Sequence, residues 1–172
     1  INYNSWDTNF KTPFGALKIS QNATIKVKVN KNFNVYSIKL IIEKEDENLK
    51  PVIVRELDLK QVSEYNDIRE YSVEIAPLQT PAVYYYFFVV ELNIYGEDRT
   101  LFYGKTHNNG MACEYTYENL NKYQLTVYED YKVPSWFKEG ILYHVFVDRF
   151  NNGKRAEERD RVKHSTEGLM KK

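Results

Sequence analysis

Residues 83–95 read VYYYFFVVELNIY, thirteen residues that are β-branched or aromatic almost throughout. Such residues favour a pleated strand. A half-buried strand alternates apolar and polar residues, but this one is apolar on both faces over most of its length. It therefore needs cover above and below and neighbours on both edges, which predicts a central strand. The rest of the chain must supply that cover.

The surrounding sequence supplies strands. Residues 24–29, TIKVKV, alternate strictly, with Ile25, Val27 and Val29 on one face and Lys26 and Lys28 on the other. That pattern marks a half-buried antiparallel strand. Residues 36–42 read as a second strand, closed by a run of charged residues from Glu43 to Asn48. Pro51 opens a third alternating strand over 52–59, and residues 71–75 alternate until Pro77 ends the run. A turn at Gly96-Glu97-Asp98 and a short return strand over 100–103 make a hairpin with the central strand. Residues 104–110 read as a loop and 123–128 as a last alternating strand. No amphipathic helix is evident, so the expectation is an all-β, antiparallel, immunoglobulin-like β-sandwich.

Composition closes several functional classes. Lys+Arg and Asp+Glu are both 24, giving a formal net charge of zero. A neutral chain lacks the basic excess of a nucleic-acid partner. Cys113 is the only cysteine, which excludes an internal disulfide and a cysteine-based zinc site. No apolar run approaches the length of a membrane span. Residues 1–5 have neither the basic nor the apolar region of a secretory signal, and compartment stays open between cytoplasmic and secreted.

Chemistry-bearing residues are sparse. His107, His144 and His164 show no metal-ligand spacing and read as packing residues. Residues 104–110, GKTHNNG, lack the upstream glycine and the helix of a phosphate loop. Asn22-Ala23-Thr24 is a glycosylation triplet at a strand start. No two carboxylates are spaced to face each other as glycoside hydrolysis requires, so no catalytic residue is assigned. Aromatic rings stack the C–H faces of sugars, and Trp6, ahead of the first strand, is the substrate-binding candidate. It reads equally as a cap on the sandwich edge.

The chain changes character at Val133-Pro134. Residues 133–153 read VPSWFKEGILYHVFVDRFNNG, with 141–147 patterned as a buried strand of the parallel type. Residues 154–172 hold seven basic and four acidic residues and no apolar stripe. The expected division is a sandwich over 1–129, a linker over 130–140, a strand and turn over 141–153, and a charged tail over 154–172.

Pro134, Trp136, Tyr143, Phe146, Asp148, Arg149, Phe150, Asn152 and Gly153 together form a junction motif. It resembles the passage from the N-terminal sandwich into the first barrel strand of α-amylase-family glycoside hydrolases (family 13). The likeness is to the neopullulanase, cyclomaltodextrinase and α-glycosidase branch, with His144 and Val145 replacing the usual Gln-Ile. Residues 12–18 (TPFGALK), 84–90 with 102–104, and 123–137 are similar to other segments of the same N-domains.

The resemblance implies an accessory domain of an α-glucan-hydrolysing enzyme. Its catalytic Asp and Glu would sit on later strands of a (β/α)8 barrel, of which residues 141–153 supply only the first strand. A whole barrel takes about 200 residues or more, so the stretch present is expected to be inactive alone. The resemblance further implies an α-glucan or maltooligosaccharide ligand, contact with the missing barrel, and a homodimer. Whole enzymes of the family bind calcium through oxygen ligands near this point, and Asn152, Glu157 and Glu158 are the candidates here. Lys154 puts a cation where a ligand oxygen is expected, so the reading is no cofactor in this chain. The rival from another class is a non-enzymatic interaction or oligomerisation sandwich without sugar affinity.

Because residues 141–147 lack parallel neighbours in this sequence, deleting 141–172 is expected to leave the sandwich folded and raise its solubility. A thermal melt of the shortened chain checks this, and collapse of the sandwich transition would contradict it.

Overall fold

The computed structural model describes residues 1–141 and 143–146. Eleven strands run β1 (Lys11–Thr12), β2 (Leu17–Lys18), β3 (Ala23–Asn30), β4 (Asn34–Glu45), β5 (Pro51–Asp58), β6 (Lys60–Tyr65), β7 (Ile68–Ile75), β8 (Ala82–Ile94), β9 (Glu97–Lys105), β10 (Ala112–Tyr115) and β11 (Tyr123–Tyr128). They form two sheets, as a sandwich requires. One has the order β1-β3-β7-β6. The other is built around β8, with β4 and then β5 along one edge. Its other edge is shared by β9 and β11, which carry β10 and β2 in turn.

The long apolar strand is central, as its composition demands. Its core face holds Tyr84, Tyr86, Phe88, Val90 and Leu92, all buried. These pack with Ile25 and Val27 of β3, Ile38, Leu40 and Ile42 of β4, Ile75, and Leu125 and Val127 of β11. The opposite face is covered in part. Phe87 is buried there beneath the edge of the Tyr117 ring, whereas Tyr85 and Val89 are half-buried and Val83 is exposed.

The hairpin turns one residue earlier than expected. Ile94 pairs with Glu97, leaving Tyr95 and Gly96 as the two turn residues, with φ of 53° and 91°. Positive φ at both is the geometry whose twist suits a two-residue hairpin. The Asn93 side chain fixes it, its Oδ1 accepting the Gly96 N–H at 2.9 Å.

Four strands went unforeseen, the two-residue β1 and β2 and the longer β6 and β10. Each lies at a sheet edge, where polar residues are tolerated on both faces and the alternation is lost. The third expected strand is present as β5, and its second half is as expected, with Leu57 half-buried against the core. Its first half is not: among the described residues β5 pairs only with β4, and Val52, Ile53 and Val54 are all exposed. Gly104 and Lys105 extend β9, so the expected loop begins at Thr106.

Contacts divide the chain into two units, Ile1–Asp130 and Tyr131–Lys172. In the second, a one-turn helix α1 spans Ser135–Glu139 directly after Pro134, where the sequence reading expected only a linker. Of the parallel-type strand expected over 141–147, Ile141 and residues 143–146 carry no strand. Leu142, Val147, Asp148, Arg149, Phe150 and the tail 154–172 lie outside the described residues.

Phe88, at the centre of β8, is expected to cost about 3–5 kcal/mol when changed to alanine. Val54→Ala, on the exposed β5 edge, is expected to cost under about 1 kcal/mol. Chemical denaturation of the two variants measures both.

Candidate functional site

The N-terminal segment is laid along the sandwich by a chain of backbone bonds. Asn2 bridges Lys28, and Asn4 bridges Met111. The Ala112 N–H donates to the Tyr3 carbonyl at 2.9 Å, and the Ser5 N–H to the Gly110 carbonyl at 2.8 Å. Tyr3 between them is fully buried and meets the rings of Phe10, Tyr86, Phe88 and Tyr123 edge-on. Its hydroxyl shares a 2.7 Å hydrogen bond with that of Tyr86. Burial pushes the pKa of both phenols upward, so the pair stays neutral through the physiological range.

Trp6 follows immediately. Asn4 Oδ1 accepts its N–H at 3.0 Å, closing a tight turn that turns the indole outward. Trp6 is 57% exposed at the sandwich edge. The Lys105 ammonium stands 5.9 Å from the indole centroid, within cation–π range. Gly110 backs this turn closely. A Cβ there would lie 2.5 Å from Asn4 Oδ1 and 2.8 Å from Trp6 Cγ.

A second ring arrives from the β1–β2 connection. The Lys11 side chain is buried and donates to the carbonyls of Pro13 at 3.0 Å and Gly15 at 2.8 Å. Burial lowers its pKa, while the two carbonyls accept two of its three N–H groups. The loop folded around that ammonium displays Phe14, which is 61% exposed.

Trp6 and Phe14 line one groove of about 300 Å³ at the sandwich edge. Lys105, Gln124 and Thr126 add polar groups, and Tyr86 and Tyr123 lie at its inner side. The Tyr123 hydroxyl is buried without a hydrogen-bond partner among the described residues. No carboxylate lines the groove, so it has no general acid or nucleophile for glycoside hydrolysis. Apolar ring faces flanked by neutral and cationic donors suit binding.

A second cleft holds Glu43, Glu45, Tyr85 and Lys122. Glu43 is buried, and its carboxylate is paired with Lys122, whose ammonium also lies 5.6 Å from the Phe87 ring. This acid is engaged in packing the outer face of the sheet.

The remaining sequence candidates are dispersed. The His107 and Tyr115 rings meet edge-on, and His144 stacks on Phe146. The Asn22 side chain bonds Glu74. Asn152, Glu157, Glu158 and His164 lie outside the described residues. Among those described, no three His, Cys, Asp or Glu side chains converge as metal ligands, and no helix is long and apolar enough to cross a membrane.

No family model matches the chain. It is 24% identical over 157 residues to an amylopullulanase of Thermoanaerobacterium thermosulfurigenes, covering 89% of this chain and 8% of that protein. An amylopullulanase of Thermoanaerobacter thermohydrosulfuricus is 27% identical over 156 residues, covering 89% and 10%. The likeness is to the α-amylase family. A solved cyclomaltodextrinase matches 83% of this chain and 22% of its own with a TM-score of 0.42 and 14% identity. The chain thus spans about a tenth of the length of the curated relatives it matches. In the amylopullulanase relatives the similarity runs across 89% of this chain.

Gly110→Ala is expected to push the Trp6 turn outward, shifting the tryptophan emission and lowering the melting temperature. Unchanged emission and melting would contradict the close packing described.

Proposed function

We propose that this chain is the N-terminal accessory sandwich of an α-glucan hydrolase, and that it holds a glucan segment against Trp6 in the edge groove. The observation that carries this reading is the pairing of two exposed rings, Trp6 and Phe14, over one groove free of carboxylates. The similarity to amylopullulanases supplies the substrate class. Flat apolar rings match the C–H faces of a sugar, and the surrounding donors match its hydroxyls. Hydrolysis belongs to other parts of such an enzyme, since the described residues bring no acid pair to this groove.

The sequence has two tryptophans, Trp6 and Trp136, which makes the test direct. Maltooligosaccharides are expected to quench the tryptophan emission of the chain. Trp6→Ala is expected to remove that response and weaken binding at least tenfold, equivalent to about 1.4 kcal/mol. Absence of quenching in the unaltered chain would contradict the reading.

The interaction-module reading has one observation in its favour. Among the described residues the outer edge of β5 is unpaired, and it carries Val52, Ile53 and Val54 in the open, a surface on which another chain can pair. Concentration-dependent association together with indifference to glucans would favour it.

A further inference from the structure

Among the described residues, strand β11 is bordered on one side by β8 along residues 123–127, and on the other only by β2, opposite Val127 and Tyr128. Along an antiparallel strand, successive residues turn their N–H and C=O groups to alternate edges. The Tyr128 carbonyl accepts the Ile19 N–H at 3.0 Å on the β2 side. By the same alternation, Thr126 and Gln124 also face away from β8.

The parallel pairing of Val127 with Leu17 engages the Thr126 carbonyl. The Thr126 N–H and both backbone groups of Gln124 then have no partner among the described residues. Upstream of Leu17 no residue pairs with this edge among the described residues, and the connection there holds the Lys11 ammonium with its Pro13 and Gly15 carbonyls. The open edge and the two exposed rings line the same groove.

Two donors and one acceptor thus sit in fixed directions below apolar faces. A hexose ring complements that set, since each hydroxyl both donates and accepts and the C–H face is apolar. The groove's volume, about 300 Å³, is at the small end of ligand sites, which suits a short stretch of sugar. We infer that the free edge of β11 at Gln124 and Thr126 is the polar floor of a hexose site. The ring's hydroxyls complete the strand's hydrogen bonds while its C–H face meets Trp6 or Phe14. This rests on the glucan reading above.

Amide hydrogen exchange followed by NMR tests it on the full chain, with and without saturating maltotriose, alongside the Trp6 emission. Without sugar, the Gln124 and Thr126 amides are expected to exchange rapidly and that of Leu125, directed at β8, slowly. Maltotriose is expected to slow the two groove amides at least tenfold and leave Leu125 unchanged. Slowing without quenching supports the β11 edge as the floor and overturns the placement of the sugar against Trp6. Quenching with no slowing at either amide overturns the inference and leaves the glucan reading standing. Absence of both overturns the two together.

Discussion

The hydrogen bond between the Tyr3 and Tyr86 hydroxyls is the constraint on which the site depends. A phenol hydroxyl buried without a partner costs about 1–3 kcal/mol, so each of these two holds the other in the core. Tyr86 belongs to the central strand and Tyr3 to the N-terminal segment. Through that bond, and through four edge-on ring contacts of Tyr3, a segment with little strand structure of its own becomes a fixed wall. Trp6 emerges three residues later, at a turn whose direction the core has set.

The opposite wall depends on a different solution to the same problem. A buried ammonium needs acceptors, and Lys11 finds them in the carbonyls of its own loop. The loop closed around that ammonium precedes Leu17, where the chain first pairs with β11. One local interaction therefore displays Phe14 beside the open strand edge. The groove is a by-product of satisfying buried polar groups on both sides.

Much of the fold was legible in the sequence because burial writes a period of two. The alternation at Ile25, Val27 and Val29 marked β3, and the two-sided apolar run marked β8 as central. Edge strands write no such pattern. Val52, Ile53 and Val54 suggested a half-buried strand, but with one neighbour they remain in solvent, and β6 and β10 were silent for the same reason. The hairpin turn was displaced by one residue because Tyr95 takes a positive φ, which a tyrosine seldom signals. Of the site, Trp6 stood out as an aromatic outside any strand pattern. Lys105, Gln124 and Thr126 did not, since the pairing of β2 with β11 joins residues some 110 positions apart and no local signal reports it. Phe14 was visible only within a segment whose likeness to family N-domains was noted, without a role.

The central claim is that the edge groove, rather than the β5 edge, is the recognition surface of this domain. Mapping backbone chemical shifts during a maltotriose titration tests it most directly. The account predicts perturbations clustered at Trp6, Phe14, Lys105, Gln124 and Thr126, with the β5 residues unmoved. Perturbations centred on residues 52–54, or none anywhere at saturating sugar, would contradict it.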